Sequence, residues 1–287
     1  MDWTRDGSDW PNREFSRFVR HRPHYWHLQV AGDGPVVLLI HGTGGATHSW
    51  RDVFPILAER YRVVALDLPG QGFTRLGARQ RCGLDAMSRD ISALLDGEAL
   101  LPDAIIGHSA GAAIALRMVR DLKRPPKALV GLNAALESFK GPAGFVFPMM
   151  ARMMALNPFS ASEISRWLGT AAGVEYMIAG IGSELSPEGL ALYRRLVADR
   201  HHTDATLAMV AQWSLDGLQH DLPSIDVPTL LIVGEDDRAV PVSGSVRAAA
   251  RLPRAELARF PGLGHLAHEE APEAVTARIE AFLDDRL

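Results

Sequence analysis

The sequence predicts a mostly parallel, doubly wound α/β sheet with a helical cap inserted between two of its strands. Three observations carry this. Short apolar and β-branched runs recur along the chain, helical-period stretches lie between them, and one long stretch without strand character interrupts the alternation. Runs that are apolar at consecutive positions suit parallel strands, because helices cover both faces of such a sheet and leave no face for polar side chains. Strands alternating with helices give a doubly wound sheet, whose ligands sit beyond the carboxyl ends of the strands.

In chain order, the first twenty-odd residues are aromatic and charged without a clear period and are expected to form an extension packed against the sheet. Strands are expected at Val36–Ile40, Arg62–Leu66, 104–107, Ala128–Leu132 and 229–233, with helices over 50–59, 85–95 and 110–120. Residues 134–220 are rich in Gly, Pro and Met at helical spacing and carry no strand run, so they are expected to form the cap. The sheet resumes at Val227-Pro228-Thr229, which divides the chain into a core of 1–133 and 221–287 and a cap of 134–220.

Composition narrows the function classes. The 287 residues are 47% hydrophobic and 22% charged with a net charge of −4, and no basic stripe stands out, so nucleic acid is not an expected partner. A single cysteine, Cys82, cannot form an intramolecular disulfide and fits a reducing compartment. No run reaches the roughly 18 apolar residues of a membrane span, and Met1-Asp2-Trp3-Thr4-Arg5-Asp6 is too polar for a signal peptide. The expectation is a cytoplasmic protein, at most peripheral to a membrane.

The strongest motif is Gly107-His108-Ser109-Ala110-Gly111, between the run Ala104-Ile105-Ile106 and the helical stretch from Ala112. This is a G-x-S-x-G nucleophile elbow in the context it requires: strand, tight turn, helix. The bland alternative is an ordinary glycine-rich turn, which the flanking strand and helix disfavour. A serine hydroxyl needs a base to become a nucleophile. His265 supplies one, in Phe260-Pro261-Gly262-Leu263-Gly264-His265, directly after the last apolar run. His268, Glu269 and Glu270 read as the start of the next helix. The base in turn needs an orienting acid, and Glu235-Asp236-Asp237 follows the run Leu231-Ile232-Val233. Ile40-His41-Gly42-Thr43-Gly44-Gly45 ends an apolar run in glycines that let backbone N–H groups face a ligand. Thr43 and Ala110 are the expected oxyanion donors, each typically worth ~2.7–4 kcal/mol in the transition state. No Gly-Lys-Ser or Gly-Lys-Thr follows, so a phosphate-binding loop is disfavoured. His201-His202 has no partners at metal-ligand spacing and reads as a polar helix end. No metal and no cofactor is expected.

Together these elements resemble the α/β-hydrolase superfamily with a helical cap over nearly the whole chain. The resemblance implies Asp237, three residues beyond Gly234, as the acid, with Asp236 as the fallback. Ser109, Asp237 and His265 then follow the family's chain order. Asp67-Leu68-Pro69-Gly70-Gln71-Gly72 matches a family loop that usually reads Pro-Gly-His-Gly, and the change to Gln71 is expected to matter little to mechanism. Within the superfamily the chain is most similar to the magnesium-chelatase accessory hydrolases of bacteriochlorophyll biosynthesis. The segments that carry this are Asp9-Trp10-Pro11-Asn12-Arg13-Glu14 with Ser16-Arg17-Phe18-Val19, His41-Gly42-Thr43-Gly44 with Thr47-His48-Ser49-Trp50-Arg51, Gly107-His108-Ser109-Ala110-Gly111-Ala112-Ala113 and Ala128-Leu129-Val130-Gly131-Leu132-Asn133. The resemblance implies tetrapyrrole metabolism and, as partners, a tetrapyrrole or magnesium chelatase.

In the cap, the stretch from Phe145 through Met149, Met150, Met153 and Met154 to Leu156 is apolar around most of a helix. The blander reading buries it between cap and sheet. The sharper one makes it a pliable ceiling over a hydrophobic substrate, since methionine repacks readily. A membrane contact would want a basic face that this segment lacks. Trp167, Met177 and Trp213 are expected in the same wall, with Gly42 and His108 on the floor. The expected activity is hydrolysis of a hydrophobic, tetrapyrrole-like ester through an acyl-enzyme. The alternatives are a non-catalytic porphyrin-binding or chelatase-assisting protein, and carbon–carbon hydrolysis or cofactor-free peroxidation on the same triad.

Overall fold

A computed structural model of the chain describes residues 1–137, 153–157 and 159–287. Its strands are β1 (Ser16–His21), β2 (His24–Ala31), β3 (Val36–Ile40), β4 (Arg62–Leu66), β5 (Ala104–His108), β6 (Ala128–Leu132), β7 (Thr229–Gly234) and β8 (Ala255–Phe260). They form one sheet in the order β1-β2-β4-β3-β5-β6-β7-β8. The pairs β1·β2 and β2·β4 are antiparallel and every other pair is parallel.

The described helices are α1 (Trp3–Asp6), α2 (Val53–Ala58), α3 (Leu84–Gly97), α4 (Ala110–Met118), α5 (Ser160–Leu168), α6 (Ala171–Gly180), α7 (Pro187–Ala198), α8 (Arg200–Gln212), α9 (Asp216–Asp221), α10 (Val242–Ala249), α11 (Ala267–Glu270) and α12 (Pro272–Leu283). Alternate residues of each central strand serve opposite faces. Leu38, Ile40, Val64, Leu66 and Ile105 pack with α3 and α4 on one side. Val37, Leu39, Val63, Ala65 and Ile106 pack with α2 and α12 on the other. The central strands are therefore apolar along most of their length, with polar residues at their ends, and each fully buried large side chain adds roughly 1.5–3 kcal/mol.

Helices α5 to α9 all lie between β6 and β7, and their ends are set locally. Thr170 and Ser186 cap α6 and α7 through the N–H groups of Gly173 and Gly189. Asp199 ends α7 and starts α8, its carboxylate accepting from the N–H groups of His201 and His202. No described helix is long and apolar enough to cross a membrane.

Two expectations change. The end of the stretch expected as an extension packed against the sheet joins the sheet itself, since Ser16–His21 is strand β1, paired with β2 in a hairpin. The helix expected over 50–59 is shorter: Thr47–Trp50 is a 3-10 turn, and the α-helix begins at Val53.

Asp67, fully buried just beyond β4, joins the parts. Its Oδ2 receives His27 Nδ1 from β2 at 2.7 Å and the Phe73 N–H at 2.8 Å. Its Oδ1 accepts from the Thr47 N–H at 2.7 Å. Burial by itself raises a carboxyl pKa, but the adjacent His27 and His41 rings and these donors outweigh it, holding Asp67 near 2. Replacing one partner of such a buried set typically costs ~3–5 kcal/mol, so Asp67→Ala is expected to lower the unfolding free energy by about that amount. A loss under about 1 kcal/mol in chemical denaturation would contradict this assignment.

The interior also holds five histidines that burial, first of all, keeps neutral: His41 below its ordinary range, His48 and His108 well below it, His202 near 4 and His268 near 3. Unfolded, each would take up a proton as pH falls below 6.5, while the folded chain does not, so acid favours unfolding. Burial raises Glu269 to about 7. That group works the other way between pH 7 and 4.5, because the folded chain keeps a proton the unfolded one releases. Each fully unprotonated ring contributes ~1.4 kcal/mol per pH unit, and five such rings outweigh one carboxyl. The melting temperature is expected to fall steeply from pH 6.5 to 5 in a thermal scan, and a flat profile there would refute the neutral-ring picture.

Candidate active site

The elbow forms where β5 meets α4. Ser109 has φ 53° and ψ −116°, a left-handed conformation rare for any residue with a side chain. Such strain costs about 1–3 kcal/mol and persists only where the surroundings impose it. Here the Ser109 N–H donates to the Leu132 carbonyl at 2.9 Å, and the Ser109 carbonyl accepts from the N–H groups of Ala112 and Ala135. The flanking glycines follow from close approach. A Cβ on Gly107 would lie 2.4 Å from the Gly111 backbone, and one on Gly111 would lie 2.2 Å from the Ile40 carbonyl oxygen.

His265 stands in the loop after β8 with its Nδ1 2.8 Å from Asp237 Oδ2. A carboxylate accepts here, so the neutral ring carries its proton on Nδ1 and leaves Nε2 as a base. Asp237 is itself fixed. Its Oδ1 accepts from the N–H groups of Ala239 and Val240, both at 2.8 Å, and its Oδ2 from Asn133 Nδ2 at 2.7 Å. Asp236 is exposed and takes no part. Asn133, at the end of β6 with φ 45°, also donates to the Gly264 carbonyl at 3.3 Å and so braces both acid and histidine loop. From the other side, His108 Nε2 donates to the His265 carbonyl at 2.9 Å. Ser109 and His265 line the same cavity. Among the described residues no hydrogen bond joins the serine hydroxyl to the ring.

Thr43 lines the cavity as well. Among the described residues neither the Thr43 nor the Ala110 N–H has an acceptor, Ala110 being the first residue of α4. The loop around Thr43 is held by its neighbours. His41 Nδ1 donates to the Gly42 carbonyl at 2.7 Å while its Nε2 accepts from the Leu68 N–H at 2.9 Å. Gly45 N–H closes a turn onto the Gly42 carbonyl at 3.1 Å. Gly42 packs so closely that an added Cβ would meet His108 Nδ1 at 2.8 Å and Ser109 Cβ at 3.0 Å.

The cavity measures about 320 Å³. Its polar lining includes Thr43, His108, Ser109, His202 and His265, and its apolar wall comes from Ile164 and Leu168 on α5, Met177 and Ile178 on α6, Val197 on α7 and Leu207 on α8. Of the expected wall residues, Met177 is there. Met153 and Trp167 instead face solvent, 66% and 65% exposed. On α5 the inward face is occupied by Ala161, Ile164, Ser165 and Leu168, which leaves Trp167 off that face and against Tyr176. Met154 is half-buried and does not line the cavity. Trp213 packs against the core on the α3 and α4 side of the sheet. Phe145, Met149 and Met150 lie outside the described residues.

Behind the cavity, Tyr193 donates to Glu269 Oε1 at 2.6 Å, and Arg51 pairs with the other oxygen of that carboxyl. No group of three or more potential metal ligands occurs among the described residues. Sequence reasoning missed Asn133, His202 and the part played by Gln71. His202 and Gln71 both bond Gly44, at its carbonyl and its N–H. The pair His201-His202, expected as a polar helix end, is so only for the exposed His201; His202 is buried, and nothing in the local pattern of that pair or of a loop glutamine signals such contacts.

Comparison with known proteins agrees with this architecture. The family model described as alpha/beta hydrolase fold matches residues 35–272. The magnesium-chelatase 30 kDa subunit of Rhodobacter capsulatus is 43% identical over 279 residues, covering 96% of this chain and 97% of that protein. The pimeloyl-[acyl-carrier protein] methyl ester esterase of Nitrosomonas europaea is 27% identical, covering 89% of this chain and 98% of its own. Among solved structures, an alpha/beta hydrolase fold protein from Burkholderia ambifaria superposes with a TM-score of 0.77 at 26% identity, over 92% of this chain and 97% of its own. The sheet order, the strained serine at the strand–helix junction and the matched span agree, and the chain belongs to the alpha/beta hydrolase fold family.

Proposed function

We propose that this protein is a serine-nucleophile hydrolase acting on an ester with a hydrophobic acyl or alkyl part. One observation carries the reading. A serine on a strained elbow shares a cavity with a histidine whose Nδ1–H is bound to a carboxylate, itself held by Asn133 and two backbone amides. In the proposed reaction His265 Nε2 takes the Ser109 hydroxyl proton as Oγ attacks the ester carbonyl. The Thr43 and Ala110 N–H groups receive the oxyanion, and the alcohol leaves with the proton from His265. Water, activated by the same ring, then cleaves the acyl-serine, while Asp237 holds the tautomer and stabilises the imidazolium. The hydroxyl and ring come into hydrogen-bond contact when substrate binds, since such contacts commonly tighten in the Michaelis complex. The segment 134–220 serves as the cap, because its helices α5 to α8 build the apolar wall. The esterase name of one relative supports ester chemistry.

The name of the 43% identical relative favours a second reading, in which the protein binds a tetrapyrrole or assists magnesium chelatase. A cavity of about 320 Å³ stands at the small end of the range for small-molecule sites, roughly 300–1,000 Å³. A macrocyclic ester would therefore present its ester side chain to Ser109 and keep the ring at the mouth.

A fluorophosphonate probe and p-nitrophenyl butyrate test the first reading. Wild type is expected to label and turn over, Ser109→Ala and His265→Ala to do neither, and Asp237→Asn to lose on the order of 10³–10⁴ in kcat. A wild type that stays unlabelled beside an active control esterase would defeat it. For the second reading, micromolar protein is expected to shift the Soret band of protoporphyrin IX or its magnesium form, and an unmoved band would argue against it.

A further inference from the structure

We propose that His202, on α8, is a positioning residue for the oxyanion donor Thr43, with Gln71 as its counterpart from the core. The helical segment between β6 and β7 thereby holds part of the catalytic geometry as well as the apolar wall. The inference rests on the serine-hydrolase reading for its catalytic arm, but its geometric arm stands apart.

Gly44, next to Thr43, is held at both backbone polar groups. Its N–H donates to Gln71 Oε1 at 2.8 Å, and its carbonyl accepts from His202 Nε2 at 3.1 Å. His202 Nδ1 accepts from the Gly72 N–H at 3.1 Å. An N–H can only donate and a carbonyl can only accept, so the ring has one workable state: neutral, with its proton on Nε2. Burial sustains that state. The imidazole thus bridges the loop after β3 to the loop after β4, in a way that no residue with a single polar atom could reproduce.

The backbone has been cleared for this approach. Gly44 and Gly70 have φ +77° and +79°, and a Cβ added to Gly70 would lie 2.4 Å from Ala205 Cβ on α8. Thr206 on the same helix sits against Gly44, where an added Cβ would come within 3.6 Å of its methyl group. Asp199 caps the helix at the N–H groups of His201 and His202, fixing the first turn from which the ring projects. With Gly44 pinned at both groups and Gly45 turned onto Gly42, the Thr43 peptide between them has little freedom to rotate away from the cavity. A preorganised donor is what oxyanion stabilisation requires, because its contribution depends on an aim fixed before charge develops.

His202→Phe keeps the ring's shape and removes both hydrogen bonds, Gln71→Ala removes the hold from the core side, and His201→Ala alters an exposed neighbour as a control. With p-nitrophenyl butyrate, both test variants are expected to lose about tenfold or more in kcat with KM within about twofold, since a mis-aimed donor weakens the transition state rather than the ground state. His201→Ala is expected to match wild type. Hydrogen exchange of the peptide spanning 41–46, followed by mass spectrometry, is expected to quicken in both test variants. Unchanged kcat in both, or raised KM with kcat preserved, would overturn the positioning role. If wild type shows no turnover, the hydrolase reading falls, and the exchange measurement alone decides whether His202 and Gln71 fix the loop. Unchanged exchange in both variants overturns that claim as well.

Discussion

The structure depends on one buried carboxylate. Asp67 receives His27 from the hairpin strand β2, the Thr47 amide from the segment after β3 and the Phe73 amide from the loop after β4. Three chain segments distant in sequence are thus registered by a group that cannot be left without donors away from water. His41 extends the same logic, linking Gly42 to Leu68. The loop that presents Thr43 is therefore an outgrowth of the sheet's own polar wiring.

Much of the fold was legible because the central strands are buried on both faces. Val36–Ile40 and Arg62–Leu66 have no polar interruption that could be misread, apart from the exposed Arg62 at a strand start. The hairpin was not legible. In β2, His24, His27 and Gln29 point into the protein and are made tolerable by partners that include Asp90, Asp67 and the Pro11 carbonyl. A reader of the chain sees polar residues where a core position ought to be apolar, because the partners lie elsewhere.

The site divides in the same way. Ser109 and its glycines were readable because the turn's sterics dictate residue type at fixed spacing. His265 was readable by its place after a strand; the same kind of placement narrowed the acid only to Glu235-Asp236-Asp237, and the family resemblance chose Asp237. Asn133 and His202 were not, since each works through contacts across more than a hundred residues, and a side chain's reach leaves no trace in local spacing. The wall residues were the least legible. Helical periodicity groups residues on a face, but only packing decides which face turns inward, as Trp167 and Ile164 on α5 illustrate.

That outward-facing indole has a practical consequence. Of the six tryptophans, Trp10, Trp26 and Trp50 are buried, Trp3 and Trp213 are half-buried, and Trp167 alone stands largely in water. A soluble quencher such as acrylamide will reach Trp167 first. The native emission spectrum is thus expected to contain a red-shifted component dominated by a single position on α5, above the cavity. The molecule carries its own optical gauge of whatever settles on that helix, with no dye attached.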